Sequence, residues 1–163
     1  SSLLLVADQS NLLSTFGVGL TYMEPAWGDG HGGEMGLQGS RSAEVLKLWL
    51  GLRQLGESGI KLLLEGAIER RCYLQKRLDE TKFKILTGPL HLMACSPKSL
   101  NREDAAKWSK KTRQILLDNQ LMLSRPLHQN RYYLKVVLGN PNTKHVHLDK
   151  LAVMLNHSLL DFS

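Results

Sequence analysis

The chain has 163 residues, of which 42% are hydrophobic and 22% charged, a composition typical of a soluble globular protein with one substantial core and room for a smaller appendage. No apolar run approaches the roughly 20 residues that a membrane-spanning helix needs, and the N-terminus lacks the basic lead of a signal peptide, so no membrane partner is expected. Much of the net charge of +6 lies along residues 98–113 as on a solvated helix face, and since no nucleic-acid-binding motif accompanies it, no nucleic-acid partner is expected either.

The N-terminal part of the chain predicts a strand, a short element and a loop. Residues 2–6 are a continuous apolar run, which suits a strand buried on both faces, as in a parallel sheet. Residues 11–16 predict either a short helix or a turn. From Tyr22 to Gly36 the chain is rich in glycine, with acidic and histidine side chains interspersed, and this composition predicts a loop.

Two consecutive helices are predicted after the loop. The first covers residues 41–55, and its apolar face has the i, i+3, i+4, i+7 spacing, with Val45, Leu48, Trp49 and Leu52. Further apolar residues widen this face so far that we expect other structure to cover it. A second amphipathic helix is predicted over residues 58–80, with a glycine bend between the two helices.

Strands and helices alternate beyond residue 81. Strands are predicted over residues 83–86 and 91–95, then a helix that begins at Asn101, then strands over residues 121–127 and 132–138. A turn rich in asparagine caps a final helix. The apolar core face of this helix is expected to contain Leu148, Leu151, Ala152, Leu155 and Leu159. This order of elements predicts an α+β layer, in which helices cover one face of a small antiparallel sheet.

The positions of the cysteines and histidines argue against a disulfide and against a metal site. The two cysteines, Cys72 and Cys95, lie in a predicted helix and a predicted strand, and we expect free thiols in a reducing cytoplasm rather than a disulfide. No metal site is expected, because neither His31 with Glu34 nor a later pair of histidines supplies three ligands at a recognised spacing. The chain also lacks the Gly-x-Ser-x-Gly motif of a serine hydrolase.

Three short motifs follow one another around the first long helix: Gly39-Ser40-Arg41, Leu46-Lys47-Leu48-Trp49 and Gly56-Glu57-Ser58-Gly59. Taken together they resemble a segment of the pyridoxal-phosphate-dependent (PLP-dependent) group II amino-acid decarboxylases, which include the glutamate, aromatic amino-acid, cysteine sulfinate and 2,4-diaminobutyrate decarboxylases. Residues 2–6 look like the strand just beyond that family's cofactor-binding lysine, and residues 133–141 look like its substrate-facing strand. The order and approximate spacing hold over nearly all of the chain.

The resemblance implies an α/β fold in two parts. Residues 1–55 would be the C-terminal end of the large PLP-binding domain of a type I PLP-dependent transferase fold, with the glycine-rich loop and the helix after it. Residues 56–163 would be the C-terminal small α+β domain with its antiparallel sheet. It also implies a carboxy-lyase activity on a small amino-acid substrate, with pyridoxal 5'-phosphate as the cofactor.

In the resembled family, the lysine that holds the cofactor as a Schiff base lies before the strand that residues 2–6 match. We therefore expect that lysine to be absent from this chain, and the chain to be inactive alone. The resemblance implies as partners a second copy in a homodimer, or the missing N-terminal portion of the decarboxylase.

Gly39 and Ser40 match a turn that, in the resembled family, reaches across the dimer to the cofactor phosphate of the other subunit. Backbone N–H groups at the start of a helix favour an anion such as phosphate, which gives this role a physical basis. The alternative is that Ser40 only caps the following helix.

Lys135 matches a position at which many members of the family have an arginine that holds the substrate α-carboxylate. A lysine supplies a compact point charge where arginine offers a two-pronged fork, so carboxylate binding would be less directional. The alternative is that Lys135 is a solvated charge on a strand at the edge of the sheet.

His31 lies in the glycine-rich loop, where animal members of the family have a tyrosine thought to return a proton to the substrate. The loop has no tyrosine between Glu24 and Gly36, which is the largest departure from the family. An imidazole can move protons near neutral pH, so His31 is a candidate replacement. The alternative is an ordinary loop histidine.

A second function class is compatible with the same residues. The chain could be a non-catalytic α/β interaction module derived from the same fold. In that case the broadly apolar helix over residues 41–55 would be an exposed surface for a partner.

Overall fold

A computed structural model of the chain describes residues 5–17, 36 and 42–160. The chain divides into two compact units, residues 1–56 and 57–163. No helix in the described ranges is both long enough and apolar enough to span a membrane. The assignment of residues 1–55 to the end of a cofactor-binding domain stays a prediction.

The first unit contains one short helix near its start. Helix α1 (Ser10–Phe16) follows Asp8, whose carboxylate accepts hydrogen bonds from the backbone N–H and the hydroxyl of Ser10. Of the two alternatives predicted for this segment, the helix is confirmed. Residues 1–4 of the predicted first strand lie outside the described residues. Leu5 and Val6 are not in a strand, and Leu5 is 85% exposed, since the described residues of this unit offer no strand to pair with.

Helix α2 (Glu44–Gln75) covers most of both predicted long helices. Helical geometry is interrupted at Gly56, with φ 63° and ψ −177°, a conformation that glycine adopts without steric cost, and the predicted bend is confirmed there. The helix ends at Gln75 and not at residue 80. Beyond it, the carbonyl of Arg77 and the N–H of Asp79 are hydrogen-bonded to the side chain of Asn156 and not to helical partners.

The first half of α2 leaves its apolar side chains exposed. Val45 is 73% and Trp49 is 53% exposed, and several leucines between them and Gly56 are exposed as well. The structure that we expected to cover this face is not among the described residues of the chain.

The second unit continues with β1 (Phe83–Thr87), β2 (Leu92–Pro97), α3 (Arg102–Asp118), β3 (Leu127–His128), β4 (Arg131–Tyr132), β5 (Leu134–Val137) and α4 (His145–His157). Strands β1, β2 and β5 form a three-stranded antiparallel sheet in that order. Strands β3 and β4 form a separate hairpin. The predicted combination of helices with a small antiparallel sheet is confirmed.

One face of the three-stranded sheet builds the core. Residues directly opposite each other in antiparallel strands share a face, and the register places Ile85, Cys95 and Leu134 in one row. Trp108 of α3 and Leu155 of α4 are fully buried in the same core. The predicted core face of the last helix is confirmed, with buried Leu148, Leu151, Ala152 and Leu155 and with Leu159 packed against them.

The two helices of the second unit begin in different ways. The side-chain oxygen of Asn101 accepts a hydrogen bond of 2.9 Å from the N–H of Asp104, which confirms the predicted cap of α3. Helix α4 is capped at Lys144, whose N–H donates to Nδ1 of His147 at 3.2 Å. The asparagine-rich turn therefore precedes the last helix without capping it, because its Asn140 side chain accepts from the N–H of Asn142 instead.

The predicted strands over residues 121–127 and 132–138 are wrong in their bounds. In the first of these ranges, Ser124 makes an isolated bridge to Lys135, and β3 begins at the end of the range. The second is divided between β4 and β5. Between β3 and β4, Gln129 and Asn130 have φ angles of 48° and 58°, as a two-residue type I′ turn requires.

Candidate functional site

Of the predicted site residues, the described part of the chain contains Lys135. Gly39, Ser40 and His31 lie outside the described residues, so their roles stay predictions. The candidate site that the structure defines is therefore the sheet face that carries the side chain of Lys135.

Lys135 lies in β5, the last strand of the three-stranded sheet, and an isolated bridge to Ser124 continues the pairing on its outer side. On one side it pairs with Ala94 of β2. On the other side its N–H donates to the carbonyl of Ser124 at 2.8 Å, and the N–H of Ser124 donates to its carbonyl at 3.2 Å. The backbone of Lys135 is thus held from both directions, and the role of its side chain stays a prediction.

The neighbours of Lys135 on its face of the sheet are small or apolar. The register places Leu86, Ala94, Lys135 and Ser124 in one row across the sheet. Side chains opposite each other in such a row lie about 5 Å apart at their Cβ atoms. The lysine side chain therefore has a small residue, Ala94 or Ser124, on each side, and the apolar Leu86 ends the row. We call this row, from Leu86 to Ser124, the Lys135 row.

The face around the Lys135 row is positively charged. Lys84 lies opposite Ser96 in the next row, and Arg131 donates from Nε to the Ser96 hydroxyl at 2.9 Å. In the described part of the chain, no Asp or Glu carboxylate forms an ion pair with Lys84, Arg131 or Lys135. A cationic face without neutralising carboxylates attracts anions.

Arg131 is held in place by backbone oxygen atoms. Its Nη2 donates to the carbonyl of Leu100 at 3.0 Å and also to the carbonyl of Pro97. These bonds fix the guanidinium without cancelling its charge, so the positive potential of the face is retained. Arg131 contributes a fixed charge beside the site, and the composition of the sequence gave no sign of where that charge would be.

A second cluster that the sequence did not predict ties α2 to α4. The Tyr73 ring stacks on the His145 ring at 3.8 Å, and the Arg77 guanidinium lies over Tyr73 at 3.5 Å. The Tyr73 hydroxyl donates to Asp149, which also pairs with Arg77. Partial burial, followed by the bond to Asp149, raises the pKa of Tyr73 above its usual value, so this hydroxyl stays a donor.

Every lysine of the chain lies in the described ranges, and all except Lys135 are exposed. A lysine that holds a cofactor as a Schiff base needs an enclosed site beside the bound group. Lys135 is half-buried, between Ala94 and Ser124 of its row. The described residues therefore do not fit a complete PLP site. The residues predicted to contact the cofactor phosphate, Gly39 and Ser40, are outside the described part.

Solved structures of PLP-dependent group II amino-acid decarboxylases have a fold similar to that of this chain. TDC from Oryza sativa, solved with PLP and tryptamine, matches 80% of this chain and 29% of its own at 13% identity, with a TM-score of 0.69. Mouse CSAD in apo form matches 94% of this chain and 34% of its own at 19% identity, with a TM-score of 0.68.

A third solved structure with the same fold is Catharanthus roseus tryptophan decarboxylase in complex with L-tryptophan. It matches 80% of this chain and 29% of its own at 19% identity, with a TM-score of 0.63. The chain thus spans about a third of the length of these proteins. No family model matches the chain, and no curated protein matches it. These matches confirm the predicted fold class.

Proposed function

We propose that the chain is the C-terminal portion of a PLP-dependent L-amino-acid decarboxylase, and that Lys135 binds the α-carboxylate of the substrate. The observation that carries the proposal is the position of Lys135. Its backbone is held on both sides, its side chain lies between two small residues, and no carboxylate of the described residues neutralises it. An unpaired, partly buried ammonium gains from an anionic ligand.

The other parts of the active site are proposed to come from residues outside the described ranges. When bound, PLP supplies an electron sink for the bond that breaks as carbon dioxide leaves. Gly39 and Ser40 are proposed to hold its phosphate across a homodimer. His31 is proposed to hold the proton that replaces the lost carboxyl group. The lysine that anchors the cofactor is proposed to lie in an N-terminal portion of the decarboxylase, in the cytoplasm with the rest of the enzyme.

The exposed apolar face of the first half of α2 supports a larger assembly. An apolar patch of this kind marks a surface that another structure covers. The solved structures with this fold are about three times as long as the chain, so their extra length is sufficient to supply such a cover.

Cofactor absorbance tests the proposal. The coding region immediately upstream is read for a His-Lys pair, and the chain is produced alone and joined to that upstream portion. After incubation with PLP and dialysis, we expect visible absorbance from the joined protein and none from the chain alone. Absence of that absorbance from the joined protein would contradict the proposal.

The same exposed face also favours a second candidate, a non-catalytic interaction module. In that case the first half of α2 contacts a different protein, and the chain folds as a stable unit without the upstream portion. The solution behaviour of the isolated chain separates the two candidates, as argued at the scale of the whole molecule below.

A further inference from the structure

We infer that Ser124 is a second binding residue for the substrate α-carboxylate, next to Lys135. The inference rests on the proposed function, because it concerns the same anion site. Ser124 and Lys135 exchange both of their backbone hydrogen bonds, at 2.8 and 3.2 Å. A pair of this kind places both side chains on one face, with Cβ atoms about 5 Å apart.

The hydroxyl of Ser124 is available to a ligand. It is exposed, and its hydrogen bond is a contact of 3.5 Å to the carbonyl of Lys135, at the weak end of the range for such bonds. The hydroxyl of Ser96, on the same face, is buried and accepts a bond of 2.9 Å from Arg131. The two serines therefore differ in availability: Ser96 holds an arginine, whereas Ser124 can turn its proton towards a bound anion.

The chemistry of a lysine site explains why a second donor is needed. A carboxylate has two oxygen atoms, and the arginine fork can bond both of them. The ammonium of Lys135 is a compact charge that holds one oxygen well. Ala94, on the other side of the lysine, has no polar side chain, so Ser124 is the neighbour in the row that can bond the second oxygen. Together, Lys135 and Ser124 can supply the two hydrogen bonds that an arginine would donate to the carboxylate.

Steady-state kinetics of the joined enzyme test the inference. Ser124→Ala is expected to raise the KM for the amino acid about tenfold, the effect of losing one hydrogen bond to a charged group, with kcat changed less than about twofold. Ser124→Thr keeps the hydroxyl and is expected to restore most of the affinity. Lys135→Met serves as the reference and is expected to raise KM at least as much.

A second lysine variant distinguishes binding from structural support. In Lys135→Arg the fork supplies both bonds, so adding Ser124→Ala is expected to change KM less than about twofold. A purely structural role of Ser124 would give the same factor in both backgrounds, and that result overturns the inference. An unchanged KM in Ser124→Ala, beside a raised KM in Lys135→Met, also overturns it and leaves the proposed function intact. An unchanged KM in Lys135→Met contradicts the carboxylate site itself.

The chain on its own provides a readout that does not depend on activity. Propionate is expected to slow the acetylation of Lys135 by N-acetoxysuccinimide, as measured by mass spectrometry of peptides. Lys84, on the same face, is the internal reference. Ser124→Ala is expected to remove most of the protection of Lys135 and to leave Lys84 unchanged. Equal protection in the original chain and in Ser124→Ala contradicts the inference, whether or not the joined protein binds PLP.

Discussion

At the residue scale, Asn156 joins two helices with both ends of its side-chain amide. Its Oδ1 accepts from the N–H of Asp79 at 3.2 Å, and its Nδ2 donates to the carbonyl of Arg77 at 2.9 Å. Both partners belong to the turn after α2, where backbone groups have lost their helical partners. One side chain of α4 therefore satisfies two backbone groups just beyond the end of the long helix.

Asn156→Ala is expected to destabilise the chain by about 1–3 kcal/mol, because it leaves one backbone donor and one acceptor without a partner. The measurement is the midpoint of urea unfolding followed by circular dichroism. Asn142→Ala is the matched control: in the described structure this exposed residue bonds through its backbone N–H, so we expect little change. Equal midpoints for the two variants would show that the Asn156 bonds do not contribute to stability.

The two cysteines also differ at the residue scale. Both thiols are free, and Cys72 is half-buried whereas Cys95 is buried. Burial raises the pKa of the Cys95 thiol to about 12. The pKa of an unfolded cysteine is lower, near 9.0. The folded state of Cys95 binds its proton more tightly than the unfolded state, so its contribution to stability is complete below pH 9 and decreases as the pH rises towards 12.

In the native chain, we therefore expect Ellman's reagent at pH 8 to react with Cys72 quickly and with Cys95 only after denaturation. Cys95→Ala is expected to weaken the loss of stability above pH 9, and Cys72→Ala is the control that keeps it. Two rapidly reacting thiols in the native chain would contradict the burial of Cys95. A native disulfide, with no reacting thiol, would contradict it as well.

At the element scale, the hairpin of β3 and β4 is held to α3 by side chains on either side of its turn. Arg125 stacks over Tyr132 at 3.5 Å and donates to the Ser109 hydroxyl at 2.8 Å. A cation over an aromatic face is worth about 0.5–2 kcal/mol. The turn itself contributes less, since Gln129 adopts a left-handed conformation that side chains with a Cβ disfavour.

Replacing Gln129 by Asn and Asn130 by Gly is expected to stabilise the chain by about 0.5–1 kcal/mol, because Asn-Gly is the preferred pair for a type I′ turn. Thermal unfolding is the measurement, and Gln129→Asn with the original Asn130 is an intermediate control with a smaller gain. If the double variant lowers the melting temperature, the type I′ turn is not the conformation of the chain in solution.

The contrast between α3 and this hairpin shows what the sequence could predict. Asn101 and Asp104 stand three residues apart, and this local signal is enough to place the start of α3. The hairpin has no Asn-Gly or Asp-Gly pair, and its strands are two residues long. Its stability comes from Arg125 and Tyr132 packing against a distant helix, and contacts of that kind are not visible in a local pattern. Two short strands were therefore predicted as parts of longer ones.

At the scale of the whole molecule, apolar periodicity and the order of elements were sufficient to predict the fold of the second unit. The candidate site was harder to predict from the sequence. The position of Lys135 could be proposed by resemblance, but Ala94 and Ser124 lie 41 and 11 residues before it in the chain. They became its neighbours through strand register, which depends on tertiary packing. Ser124 in particular lies within a predicted strand, but the local pattern does not tell which residue it pairs with, and the structure gives it an isolated bridge to Lys135.

The exposed face of the first half of α2 makes a prediction about the isolated chain. Leu46 and Leu50 are 50% and 52% exposed there, among other apolar side chains, and contact between such faces removes apolar area from water. We therefore expect the chain alone to self-associate as its concentration rises, measured by sedimentation velocity. Leu46→Gln with Leu50→Gln is expected to lower the average mass, because glutamine keeps a good helix propensity without the apolar surface.

Val146→Gln is the matched control for this test. Val146 is 64% exposed on α4 and lies far in the sequence from the exposed apolar face of α2. Its replacement is therefore expected to leave the average mass unchanged. Joining the chain to its upstream portion is expected to suppress association as well, because the same face is then covered. A chain that stays monomeric at every concentration and unfolds cooperatively would instead favour the interaction module. The apolar face of an interaction module remains exposed to solvent until a partner binds, so the isolated module is stable without a covering structure.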